Sequence, residues 1–227
     1  MVKKGTIKLI YNFVRFYRKS SKFDLNLSMD LEEIIIGLML GDLFAEKIKP
    51  TSNTRLQFKQ SIKNEVYIDH LYSLFNNYCG SSPKITTSID KRPGKREINI
   101  SKKFWTLSLP CFNKFRELFY DNNGVKFIPN NLEDFITARS LAYWIMDDGY
   151  KTTSGFYLCT ESYTLEDNQK LNKILKNKFN LESGIHKHTN GHRLYIFSSS
   201  KDRLLELIKP YLIQHFYYKF ELNKKSI

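Results

Sequence analysis

Residues 141–150 read LAYWIMDDGY, an apolar stretch of helical character that ends in two consecutive aspartates and a glycine. Residues 34–43, IIIGLMLGDL, follow the same scheme earlier in the chain. A helix C-terminus carries about half a negative charge, so a carboxylate there is disfavoured by roughly 0.3–1 kcal/mol. Each helix also offers two small residues at i, i+4, Gly37 with Gly41 and Ala138 with Ala142, a spacing that lets helix backbones approach closely. Packed side by side, the helices bring Asp42 and Asp148 together at one end. Two carboxylates there repel each other and oppose both helix dipoles, and a divalent cation reverses all three terms.

Around these stretches the chain repeats itself. Ser28 or Asp30 caps a helix from about Leu31 to Leu43, with Glu33 completing a capping box after Asp30. Thr137 caps a second helix from Ala138 to about Asp148, and Gly149 is its stop. After the first helix come the alternating TRLQFKQS, the helical NEVYIDHLYSLFNNYCG, two strand-like runs, PKITTSI and REINIS, and the helical CFNKFRELFYDNNG. After the second come GFYLCTES, LEDNQKLNKILKNKFN, a hairpin SGIHKHTNGHRLYIFSS with Asn190-Gly191 at its turn, and KDRLLELIKPYLI. Both halves read as one α-β-β-α-β-β-α plan, an internal duplication joined near NNGVKFIPNNLED. The expected class is α+β with two pseudo-symmetric repeats, residues 28–136 and 137–227, behind a basic N-terminal extension, 1–27.

Net charge is +13, with Lys and Arg outnumbering Asp and Glu by 36 to 23, so a polyanion is the natural partner. No apolar run approaches the roughly 18–20 residues of a membrane span. Cys79, Cys111 and Cys159 are odd in number and widely spaced, as suits reduced thiols in an intracellular protein. The first 23 residues hold no acid before Asp24 and read equally as an organellar transit segment or as a basic arm on nucleic acid.

Mg²⁺ suits a paired-carboxylate site, because it takes one or two carboxylates and completes its shell with water and phosphate oxygens. Beside a basic surface that points to phosphodiester hydrolysis. IIGLMLGDL (35–43) and LAYWIMDDG (141–149) resemble the two copies of the nonapeptide motif of LAGLIDADG homing endonucleases, in the single-chain, two-repeat branch. The resemblance runs from about Ser28 to Phe220. The first motif departs from the pattern at Leu40 and Leu43.

The resemblance implies that the motif helices pack at the centre and that two antiparallel sheets form a saddle over a long asymmetric double-stranded DNA target. Asp42 and Asp148 would hold metal, with the backbone carbonyls of Gly41 and Asp147 as further ligands, while the Asp147 side chain is structural. Lys126 and Lys219 would stand near the scissile phosphates. Gln60, with Gln57 as the weaker candidate, would assist the metal and its water, and Glu161 would be its counterpart in the second half. Mg²⁺ is the implied cofactor, Ca²⁺ binding without supporting efficient cleavage. The implied protein is a monomer of mitochondrial or other organellar origin that promotes intron mobility by a double-strand break.

Strand alternation adds candidate DNA contacts. TRLQFKQ sets Arg55, Gln57 and Lys59 against Leu56 and Phe58, and HRLYIF sets Arg193 and Tyr195 against Leu194 and Ile196. Lys84, Lys91, Arg92, Lys95, Arg96, Lys102, Lys103, Lys151, Lys187 and His188 complete the set, the basic hairpin residues being better suited to phosphates than to bases. An RNA-binding intron maturase on the same fold is the competing reading, with intron RNA as partner. A generic basic DNA-binding module explains the charge but leaves the paired aspartates unexplained.

Overall fold

The computed structural model describes residues 25–90 and 97–221. The basic N-terminal stretch and Lys91, Arg92, Lys95 and Arg96 of the first hairpin lie outside the described residues. The first half runs α1 (Met29–Leu40), β1 (Phe44–Lys47), β2 (Thr54–Ser61), α2 (Glu65–Phe75), β3 (Lys84–Ile89), β4 (Ile98–Trp105) and α3 (Asn113–Phe119). A short turn of helix, α4 (Leu132–Phe135), leads into α5 (Ala138–Asp148). Then follow β5 (Gly149–Lys151), β6 (Gly155–Leu158), α6 (Leu165–Phe179), β7 (Ser183–His188), β8 (Gly191–Phe197) and α7 (Lys201–Ile208). Two antiparallel four-stranded sheets result, ordered β1-β2-β4-β3 and β5-β6-β8-β7. The fold is the α+β two-repeat arrangement the duplication implied.

α1 is buried on all sides from Ile34 to Leu40, and α5 from Ser140 to Met146, which suits only helices at the centre of a molecule. They pack against each other, and Gly37 fixes the spacing: a Cβ there would sit 2.1 Å from the Ser140 carbonyl oxygen. Ser140 lies between the two alanines singled out for close approach. At the helix starts, Arg139 pairs with both Asp30 and Glu33. Each sheet turns one face to this centre. Leu56, Phe58 and Phe104 face inward from the first sheet, the Phe58 and Phe104 rings stacked 4.4 Å apart, and Phe156, Leu158, Leu194 and Ile196 face inward from the second.

Three local readings are corrected. α1 ends at Leu40 rather than Leu43, because Gly41 leaves helical geometry where it abuts Asp147. The Ser28 side chain accepts from the Leu31 N–H as the cap, and the Asp30–Glu33 capping box does not form, both acids being drawn to Arg139. The second hairpin turns at Thr189-Asn190, since His188 pairs with Gly191, whose φ of 141° suits glycine alone. A Cβ on Gly191 would also meet the Glu161 carbonyl oxygen at 2.6 Å.

Candidate active site

Asp148 is the last residue of α5, whereas Asp42 stands two residues beyond the end of α1. Between them lies Asp147, half-buried, at the motif position that Gly41 occupies in the first copy. A Cβ on Gly41 would be 2.7 Å from the Asp147 Cβ, so glycine on one helix makes room for the acid on the other. The Asp42 N–H donates to Asp147 Oδ2 at 3.2 Å. The Gln60 amide donates to Asp42 Oδ2 at 3.2 Å and to Asp147 Oδ1 at 3.3 Å, and its own oxygen accepts from Asn64 Nδ2 at 3.3 Å, which orients it. The Tyr67 hydroxyl faces the Asp147 carboxylate without a hydrogen bond of ordinary geometry. Gln60 therefore bridges the two acids from the inner face of β2, as its alternation with Leu56 and Phe58 dictates.

Each motif helix is closed by a lysine from the end of its own half. Lys126 Nζ donates to the carbonyls of Gly41 at 2.8 Å and Leu43 at 3.0 Å. Lys219 Nζ donates to those of Ile145 at 3.1 Å and Met146 at 3.0 Å. A cation at a helix C-terminus offsets the dipole that the aspartates oppose. The Gly41 carbonyl, considered above as a metal ligand, is already engaged by Lys126.

These groups crowd together at the joined helix ends, Asp42 exposed, Asp147, Asp148 and Lys126 half-buried and Lys219 buried, and the desolvation there works against their charges. Burial lifts Asp148 to about 7, with the Asp42 charge pushing the same way and Lys126 and Lys219 opposing. Asp42 is raised by burial and held back by the Gln60 hydrogen bond, Lys126 and Lys59. Asp147 is pushed well up by burial and by both neighbouring carboxylates. Burial lowers Lys126 and Lys219 to about 8 against the pull of the same acids. Acids and bases thus converge on neutrality, the pattern expected where protons are exchanged.

The second half lacks a Gln60. Gln57 pairs with Phe44 and Phe58 with Phe104; Tyr157 pairs with Tyr150 and Leu158 with Leu194. This register makes Thr160, not Glu161, the counterpart of Gln60. Thr160 is fully buried, its hydroxyl donating to Asn168 Oδ1 at 2.6 Å and accepting from the Leu194 N–H at 3.1 Å. Glu161, one residue on, is bound to Arg193 and lies 3.7 Å from His188 Nδ1. The cause is strand length: β2 continues to Ser61, while β6 ends at Leu158.

Of the proposed DNA contacts, Lys59, Lys103 and Lys84 form one cross-strand row on the outward face of the first sheet. Arg55 and Gln57 share that face, Arg55 paired with Glu46 at 2.6 Å and lying 4.0 Å over the Trp105 ring. Arg193, Tyr195 and His188 lie on the outward face of the second sheet, and Lys151 on edge strand β5 is paired with Glu221. Lys102 and Lys187 are corrected. Lys102 pairs with Gln60, and so turns to the helix side, where it bridges Glu65 at 2.7 Å and Asp69 at 2.8 Å. Lys187 sits opposite His192, on the face opposite to Arg193.

Sequence reasoning passed over Asn64, Tyr67 and Tyr163, whose hydroxyl donates to the Leu40 carbonyl at 3.1 Å. No motif marks them; they reach the site only through folding. The central place of Asp147 was visible, since a glycine and an acid share one motif position in the two copies.

Comparison with known proteins follows this geometry closely. Residues 32–204 match the LAGLIDADG DNA endonuclease family. A cytochrome b mRNA maturase bI2 of Debaryomyces hansenii is 34% identical over 209 residues, covering 89% of this chain and 78% of that protein. A probable intron-encoded endonuclease 1 of Wickerhamomyces canadensis is 31% identical over 223 residues, covering 95% and 91%. The homing endonuclease I-WcaI bound to its DNA recognition sequence superposes with a TM-score of 0.82 at 31% identity, covering 92% of each chain. By its duplicated motif, its two-sheet fold and these likenesses, the chain belongs to the LAGLIDADG DNA endonuclease family.

Proposed function

We propose that the protein is a site-specific endonuclease that hydrolyses one phosphodiester in each strand of a long asymmetric DNA target, with Mg²⁺ as cofactor. The observation that carries this reading is the pair of acid–lysine sets, Asp42 with Lys126 and Asp148 with Lys219, at the ends of two packed helices. The likeness to a DNA-bound homing endonuclease supports duplex DNA as the partner. The donor set fits a hard divalent ion. Among the described residues no group of three His, Cys, Asp or Glu side chains is gathered for a metal, but Mg²⁺ needs only one or two carboxylates beside water and phosphate oxygens. Burial, which raises the three aspartates, and the repulsion that adds to it at Asp147 and Asp148 are what such a cation would relieve.

Asp42 and Asp148 would hold the ion, which when bound supplies charge for the developing phosphorane and acidifies water. Gln60 fixes the Asp42 carboxylate, and Asp147 ties the two helix ends. Lys126 and Lys219, lowered to about 8 by burial, would serve as proton carriers and would screen a scissile phosphate. The same reading makes the protein a monomer, its two halves supplying both sites, and names like those of its relatives support organellar origin and intron mobility. A second reading, an RNA-binding intron maturase, is favoured by the maturase relative. A cleavage screen against a randomised duplex library with Mg²⁺ decides between them. Cutting at one long site is expected; intact duplex with retained RNA binding would leave the maturase.

A further inference from the structure

The backbone that carries Asp42 is held from the second half of the molecule on two sides. Its own N–H donates to Asp147 Oδ2 at 3.2 Å. Just upstream, the Tyr163 hydroxyl shares its hydrogen between the carbonyls of Met39 at 3.3 Å and Leu40 at 3.1 Å. The last turn of a helix leaves its carbonyls without intrahelical partners, and these two are buried. Their neighbours are served from the first half: the Leu38 carbonyl accepts from the Gly41 and Leu43 N–H groups, and Lys126 takes the carbonyls of Gly41 and Leu43. At the end of α5 the corresponding donors, Lys219 and the N–H groups of Gly149 and Cys159, all belong to the second half itself. The acid of the first half is thus anchored across the seam by a hydroxyl, and the acid of the second is anchored at home.

Tyr163 is 6% exposed and lies in the loop between β6 and α6. That loop is tightly tied. The Tyr163 N–H donates to the Thr160 carbonyl at 3.1 Å, and Thr164 caps α6 by accepting from the Asp167 N–H at 3.1 Å. The buried Asn168 amide donates to the carbonyls of Thr160, Tyr163 and Thr164 at 3.3, 3.4 and 3.0 Å. Burial, and after it the Asp148 charge, push the Tyr163 hydroxyl well above the ordinary tyrosine range, so it remains a donor. On its other side the same loop carries Glu161, bound to Arg193 of the outward-facing hairpin. A misplacement of about 1 Å among reacting groups can cost about a hundredfold in rate, and a carboxylate goes where its backbone goes. We propose that Tyr163 is a positioning residue for Asp42, through which the second half sets the geometry of the carboxylate that the first supplies. The inference rests on the endonuclease reading for its effect on cleavage, and on hydrogen bonding alone for its effect on the backbone.

The test is Tyr163→Phe in the full chain, which keeps the buried ring and removes only the hydroxyl. Without metal, amide hydrogen exchange is expected to quicken by about five- to tenfold over residues 39–43 and to stay within about twofold of wild type over residues 145–149. Nicking is then followed with Mg²⁺ on the end-labelled duplex that the cleavage screen selects. The strand whose nicking Asp42→Asn abolishes is expected to be cut about tenfold more slowly, and the other strand within about twofold of wild type. In the Asp42→Asn background Tyr163→Phe is expected to leave the remaining nicking unchanged, because a residue that acts through Asp42 has nothing further to remove. Unchanged exchange over residues 39–43, equal quickening at both helix ends, or equal slowing of both strands would overturn the proposal. The expected exchange pattern in a protein whose wild type nicks neither strand would count against the endonuclease reading and leave the anchoring of Asp42 standing.

Discussion

Around Asp42, itself exposed, the set of polar partners is full: Gln60 donates to it, Asn64 orients Gln60, and Lys126 holds the carbonyls behind it. Around Asp148 the lysine is present, but the position of Gln60 is filled by Thr160, which serves the fold, and the nearby acid, Glu161, is committed to Arg193. The two copies share the acid and the lysine, whereas the orienting amide stands in the first alone. On the proposed function the first two carry the chemistry and the third orients a carboxylate.

The largest test of this comparison is the pair Asp42→Asn and Asp148→Asn. Each is expected to lower double-strand cleavage by about a thousandfold or more while duplex binding stays salt-sensitive. Retained double-strand cutting in either variant would break the assignment. Next comes the helix contact. Gly37→Ala puts a methyl group into the Ser140 backbone and should cost about 3 kcal/mol in denaturant unfolding, whereas Tyr143→Phe, its motif counterpart, loses only a hydrogen bond to His70, about 1 kcal/mol.

The asymmetry itself is read on an end-labelled duplex. Gln60→Ala should slow nicking of one strand by roughly 10–100-fold and the other much less; equal slowing would mean that Gln60 serves both sites. A smaller effect concerns pH. Asp148 keeps its proton up to about 7 in the fold but loses it near about 4 when unfolded. Between those values the folded state binds the extra proton, so stability falls as pH rises. In metal-free protein the thermal midpoint should decline from pH ~5 to pH ~7, and Asp148→Asn should flatten that decline. The smallest test compares two neighbouring lysines. Lys103→Gln should reduce the slope of log affinity against log salt by about one, and Lys102→Gln, whose charge is spent on Glu65 and Asp69, should leave it unchanged.

Much of this was legible in the chain. Helix α5 was bounded at both ends by Thr137 and Gly149, because a cap and a stop are local signals. Asp42 was foreseen beside its partner, yet placed inside a helix that ends earlier, since what ends it is Asp147 from the other half. The short strands β1 and β5 carried no alternation of their own and are defined by their partners. The resemblance implies Glu161 as the counterpart of Gln60, whereas register is set by pairing across the sheet. Lys102 shows the same limit: its charge is plain in sequence, but the face it occupies follows from its count along β4.

The contact at Gly37 also shows how unlike the two halves are where they meet. At that point α1 offers only a hydrogen atom to the Ser140 backbone, whereas the matching motif position on α5 is Tyr143, whose ring reaches across to His70. The halves, though built to one plan, join through different surfaces, and exchanging the two residues would require the seam to repack.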